Sequence, residues 1–206
     1  EHFDLIDEIE HKQIKEFVLN QLSEGGWLVK SFMIYQIAML VLASFILTRA
    51  VIFAFQYNPQ PLYYITSALA FCFSILIIVH ELLHGLAIKL TGAKKVNYGA
   101  YFKKFIFYAE ADRHVLNKKQ FAFIALTPFV VIKILTILGS FIFFYHPFLY
   151  FLIFVMCAHS LFCAGEIGLL SIFYNNGETE IFTYDVKAEK KSYYYKRHSK
   201  LKSTSI

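Results

Sequence analysis

A chain of 206 residues that is 57% hydrophobic and only 17% charged is too apolar for an ordinary soluble domain, which has about 45–50% apolar and about 25% charged residues. Its long uncharged runs place it among membrane proteins. The net charge of +5 is met by anionic inner-leaflet lipid; no helix-turn-helix, zinc-finger or RNA-binding signature calls for nucleic acid.

Residues 1–24 read as an amphipathic helix, with Leu5, Ile9, Ile14, Phe17, Val18 and Leu22 at helical spacing, ended by Glu24-Gly25-Gly26. This helix is expected on the membrane surface or against the protein's own cytoplasmic face. The first 30 residues mix acidic and basic side chains, so no signal peptide is expected. Four apolar stretches follow at about 28–47, 62–90, 121–145 and 147–174. Each approaches or exceeds the about 20 residues a membrane helix needs. The connectors "QYNPQP" and "YHP" join them in pairs, with proline ending one helix and starting the next. The three cysteines, Cys72, Cys157 and Cys163, lie in apolar runs without ligand spacing, and packing is their expected role.

Basic residues set the expected orientation. Lys94, Lys95, Lys103, Lys104, Arg113, Lys118 and Lys119 crowd the connector 92–120, and Lys187 to Lys202 the tail, whereas the two short connectors carry no Lys or Arg. By the positive-inside rule both termini and the long connector are cytoplasmic, as an even number of spans requires. The expected protein is a multi-pass one of the cell membrane. Its fold class is an all-α membrane protein: four transmembrane helices, an N-terminal amphipathic helix, and a short interfacial β-hairpin between helices two and three. The expected division is a cytoplasmic segment 1–27, a four-span domain 28–174 and a basic cytoplasmic tail 175–206.

The hairpin is read from "KKVNYGAYFKKFIFYAEADRH". Val96 and Tyr98, then Phe105, Phe107 and Ala109, alternate with period two, and Gly99 can turn the chain. An edge strand there could hold an unwound substrate by β-augmentation; the alternative is an aromatic membrane anchor. Lys94, Lys95, Lys103 and Lys104 are expected to meet lipid phosphates.

The second span ends in His80-Glu81-Leu82-Leu83-His84-Gly85. HExxH on a helix puts two imidazoles one turn apart on one face, where both can ligate Zn²⁺, and places a glutamate beside the water that the metal activates. Glu81 is then the general base. The alternative is that all three side chains only hydrogen-bond neighbouring helices, at the high cost of ionisable groups in a membrane. A catalytic zinc usually takes a third protein ligand. The fourth span offers His159 and Glu166, seven residues apart. At 1.5 Å per residue Glu166 lies about 12 Å deep, level with His80 and His84 at about 9–15 Å, and His159 about 10 Å deeper. Glu166 is the expected third ligand. His159 is expected to orient a ligand, to stabilise a developing oxyanion, or to be a core histidine. Gly165 and Gly168 beside Glu166 allow close helix approach. Lys133, near mid-span in the third helix, is open between pairing with a carboxylate and aiding an oxyanion.

"HELLHG", "LTPF" at 126–129 and "AGEIGLL" followed by "YDVKAEKKSYYY" resemble the bacterial zincin-peptidase family of four-span membrane proteins, named as a domain of unknown function. That family is in turn similar to the site-2 protease class of intramembrane metalloproteases. The resemblance covers roughly 62–195. Where the family reads Gly-Asp in the fourth span, this chain has Gly165-Glu166, one methylene longer; the Asn-Pro and Asp-Gly signature of the site-2 class is absent. The resemblance implies a zinc peptidase acting on a membrane peptide or protein substrate. The rival expectation is a non-proteolytic membrane metal-binding protein or a subunit of a larger membrane complex.

Overall fold

The structure, a computed structural model, describes residues 3–56, 58–101, 106–175 and 180–197. Phe105, Lys103, Lys104, Lys200 and Lys202, which the sequence reading used, lie outside them. The described chain is mostly helical, with seven helices and six short strands.

Helix α2 (Trp27–Phe55) and helix α5 (Lys118–Ile142) are long and apolar enough to cross a membrane. Side chains such as Ile34 (71% exposed) and Phe55 (82%) face outward, a surface that water does not stabilise. The other two apolar stretches are each broken. Helices α3 (Gln60–Cys72) and α4 (Ile75–Leu90) meet at 47°, and α6 (Phe148–Phe162) and α7 (Ala164–Asn175) at 46°. At the first break the Ser74 hydroxyl donates to the Ala70 carbonyl at 2.7 Å, a local bond that competes with the helical ladder. At the second, Cys163 donates weakly to the His159 carbonyl at 3.4 Å. Length and composition thus give two spans, or up to four if each bent pair is one.

The helices interlock through two small cores, Ala68, Cys72, Leu76, Ile132 and Val155 in one, and Ile46, Ala50, Ile65 and Tyr150 in the other. Alanine at Ala50 and Ala68, both 0% exposed, lets the backbones approach closely. A reciprocal pair of hydrogen bonds clamps α2 to α6: Gln36 donates to the Ser160 carbonyl, and the Ser160 hydroxyl donates to Gln36 at 3.1 Å. Helix α5 starts in a capping box in which Asn117 and Gln120 each satisfy the other's backbone N–H.

The all-α expectation is corrected by a four-stranded sheet. Strands β1 (Phe3–Glu10), β4 (Leu116–Asn117), β5 (Ile181–Val186) and β6 (Lys191–Arg197) order as β1-β6-β5-β4, each neighbouring pair antiparallel. The expected helix over 1–24 is therefore only half right. Helix α1 (Ile14–Glu24) forms and stops at Gly25, whose φ of 63° suits glycine. Residues 3–10 instead pair with β6, Leu5 opposite Tyr195 and Ile9 opposite Ser192. A partner so distant in sequence overrides the four-residue spacing of Leu5 and Ile9. The sheet packs on α7 through Ile9, Leu170, Phe173, Ile181 and Tyr194.

The hairpin is present as β2 (Asn97–Tyr101) and β3 (Ile106–Glu110). Gly99 is not its turn. It lies within β2 opposite Tyr108, and a Cβ there would strike the Tyr108 ring, so glycine serves a close cross-strand approach.

Candidate metal centre

Helix α4 presents His80 and His84 one turn apart, as the spacing demands. Their Nε2 atoms lie 2.9 Å from each other. Glu166, in the first turn of α7, places Oε1 3.2 Å from His80 Nε2 and 3.5 Å from His84 Nε2. All three expected ligands thus converge. Donor atoms bound to one tetrahedral ion at about 2.0–2.1 Å lie about 3.3 Å apart, so the spacing fits zinc. Glu166 Oε2 is buried without a hydrogen-bond partner, a further mark of a carboxylate arranged for something other than protein donors.

Each histidine is held from behind. The Nδ1–H of His84 donates to the Ile124 carbonyl at 3.0 Å, which leaves Nε2 as the lone pair of the neutral ring. That carbonyl is free because the residue four positions on is Pro128, which has no N–H to give it. The signal for this contact in the sequence is Pro128 itself, a proline inside an apolar helix that frees the carbonyl four residues before it. His80 Nδ1 lies 2.9 Å from His159 Nε2. His159 is 0% exposed. A straight fourth span would set His159 about 10 Å deeper than Glu166; the bend at Cys163 instead lets His159 and Glu166 both reach His80.

The bend also forms a second group. His80, His159 and Cys163 hold possible ligand atoms close together. The cysteines lack ligand spacing along the chain, as read, but a contact across two helices leaves no spacing to read. This group is closed, since neither His159 nor Cys163 lines the adjoining cavity.

That cavity, about 550 Å³, is lined by His80, Glu81, His84, Gly165 and Glu166, by α1, and by Phe107–Glu110 of β3 with parts of the sheet. Glu81 Oε2 is buried and unpartnered within it, as expected of a base without substrate. Gly85 lets the hairpin close on the motif, because a Cβ there would meet the Tyr98 hydroxyl. Gly168 likewise admits Val18 of α1, whereas Gly165 has open space instead of a neighbouring helix. Lys133 takes neither expected role. Its ammonium donates to the Met156 carbonyl at 3.1 Å and lies over the Tyr35 and Phe129 rings at 5.0 and 5.4 Å, with no ion pair among the described residues.

A family model described as "Putative zincin peptidase" matches residues 73–179, just over half of the chain. The match contains His80, Glu81, His84, His159 and Glu166. No curated protein and no solved structure matches the chain.

Proposed function

The chain belongs to this zincin-peptidase family, and from that premise we propose that it is an intramembrane zinc metallopeptidase. It hydrolyses a peptide bond of a membrane-embedded or membrane-delivered substrate. The observation that carries this reading is the convergence of His80 Nε2, His84 Nε2 and Glu166 Oε1 beside the unpartnered Glu81 carboxylate at a cavity wall.

In this reading His80, His84 and Glu166 hold the zinc. A zinc held there would supply Lewis acidity, lowering the pKa of a water and polarising a carbonyl. Glu81 accepts the water's proton on Oε2 and returns it to the leaving nitrogen. The carbon–nitrogen bond breaks, the water oxygen stays on the carbonyl carbon, and the products are a carboxylic acid and an amine. Ile124 and His159 keep the two imidazoles in their ligating orientation. The apolar cavity walls limit bulk water around the site.

The bent pairs α3–α4 and α6–α7 each count as one span in this reading, giving four spans in a bacterial cell membrane. Both termini and the hairpin are cytoplasmic, supported by the basic residues of the long connector and tail. The division into a cytoplasmic segment 1–27, a spanning domain 28–174 and a tail 175–206 is part of the same proposal. The partners in this proposal are the bilayer and a membrane peptide or protein; that Phe107–Glu110 of β3 line the cavity supports β-augmentation of the substrate there.

The closed His80–His159–Cys163 group favours a second reading, a non-proteolytic metal-binding membrane protein or a subunit of a larger complex. One set of variants separates the two. Purified protein is expected to hold about one zinc per chain, lost in His84→Ala and Glu166→Ala and kept in Cys163→Ser. Glu81→Gln is expected to keep zinc while loss of full-length substrate slows by roughly 10²-fold or more. Zinc that depends on Cys163 and not on His84 establishes the second reading.

A further inference from the structure

The cavity has a second polar wall, remote in sequence from HExxH and built by the sheet and hairpin. Glu110 ends β3, Asp185 lies in β5, and His11 follows β1; all three line the cavity. Glu110 is only 4% exposed, yet its Oε2 has no hydrogen-bond partner. Asp185 Oδ1 accepts from the Ser192 hydroxyl at 2.6 Å. His11 is 6% exposed, and its ring lies 5.7 Å from that of Tyr108.

A buried carboxylate oxygen without a donor is costly, and one without a cation more so. Among the described residues neither Glu110 nor Asp185 forms an ion pair. Cations stand nearby without closing on them. Lys15 of α1 lines the cavity, the Lys187 charge acts on Glu110 from a distance, and the Lys187 backbone N–H is taken by Asp112 at 2.8 Å. Burial pushes both the Glu110 and Asp185 carboxyls above the usual carboxylate range, and burial pushes His11 down. The wall therefore offers one buried acceptor in want of a donor, Glu110 Oε2, beside the Asp185 carboxylate.

A metal ion does not fit that want. The donor atoms of His11, Glu110 and Asp185 do not gather as those of His80, His84 and Glu166 do. An ammonium or guanidinium fits, because it spreads three to five N–H donors over separated acceptors. Most of the remaining lining of the cavity is apolar, Ile9, Ile14, Val18 and Phe121 among it, which suits the aliphatic stem of such a side chain.

We propose that Glu110, Asp185 and His11 form a subsite for a basic side chain of the substrate, so that the peptides taken into this cavity carry a lysine or arginine close to the bond that is cut. This rests on the peptidase reading for its substrate and names that substrate's class. The cation donates to Glu110 Oε2 and to the Asp185 carboxylate, and so supplies the missing partner.

The test uses full-length protein in detergent, in the Glu81→Gln background, so that binding is measured without turnover. The probes are capped pentapeptides of four alanines with lysine, arginine, norleucine or glutamate at the centre. Lysine and arginine peptides are expected to bind about tenfold more tightly than norleucine, which has a similar stem and no charge. In Glu110→Gln with Asp185→Asn that preference is expected to fall to within about twofold, and Glu110→Lys is expected to favour the glutamate peptide. Melting temperature and zinc content on the same samples report folding. Equal binding of lysine and norleucine peptides, no binding of any, or a preference that survives the double substitution overturns the subsite. Zinc loading without charge preference defeats this inference alone; charge preference together with wild-type protein that neither holds zinc nor cleaves defeats the peptidase reading alone.

Discussion

The Ile124 carbonyl accepts the Nδ1–H of His84 at 3.0 Å, and a missing N–H at Pro128 leaves that carbonyl to the histidine. Replacing Pro128 by alanine supplies an amide that competes for the same oxygen. Helix α5 should form at least as readily, since alanine is the better helix residue by about 3 kcal/mol. Zinc affinity should nevertheless fall by about 10–100-fold, the usual effect of losing a partner behind a ligand. A chelator-competition titration beside a melting curve checks this. Unchanged affinity would mean that the Ile124 carbonyl does not orient His84.

His159 should behave as a support for His80. His159→Phe keeps a buried ring and removes the nitrogen 2.9 Å from His80 Nδ1. Zinc affinity is expected to drop by about 10–100-fold without vanishing, because His80, His84 and Glu166 remain. Complete loss of zinc in this variant, together with loss in Cys163→Ser, would move the metal to the other side of His80.

Helix α1 approaches α7 closely at Gly168. A Cβ on Gly168 would lie 2.8 Å from Val18 Cγ1 and 3.4 Å from the Val18 carbonyl oxygen. Overpacking costs about 1–3 kcal/mol, against about 1 kcal/mol gained by removing a helical glycine. Gly168→Ala should therefore be neutral to destabilised by about 2 kcal/mol, and adding Val18→Ala should recover stability beyond the sum of the single effects. Strict additivity of the two substitutions in thermal unfolding would show that α1 does not bear on Gly168.

Orientation is checked by cysteine labelling in intact cells. Cys72, Cys157 and Cys163 are all buried, so background should be low. Asn58→Cys and His146→Cys are expected to react with an impermeant reagent from outside, and Lys95→Cys and Lys196→Cys to be protected. Outside labelling at Lys95→Cys would invert the proposed topology.

The sequence by itself determined what depends on neighbours along the chain. Helical period places His80 and His84 on one face with Glu81 beside them, and hydropathy marks where the apolar helices run. Strand alternation around Tyr98 and Phe107 gave the hairpin, because a hairpin pairs residues a few positions apart. The stop at Gly25 was legible because a left-handed cap is a local conformation. Tertiary structure decided everything that depends on partners far along the chain. Strand β1 forms because β6 pairs with it from the other end of the sequence, and no window of residues 3–10 contains that partner. The bend at Cys163 arises inside an unbroken apolar run, yet it brings His159 as well as Glu166 onto His80 and sets Cys163 near both histidines. The wall of Glu110, Asp185 and His11 is drawn from three strands and their ends. Burial by distant elements leaves Glu110 Oε2 without a partner, and burial is a property of the packed fold and not of the local sequence.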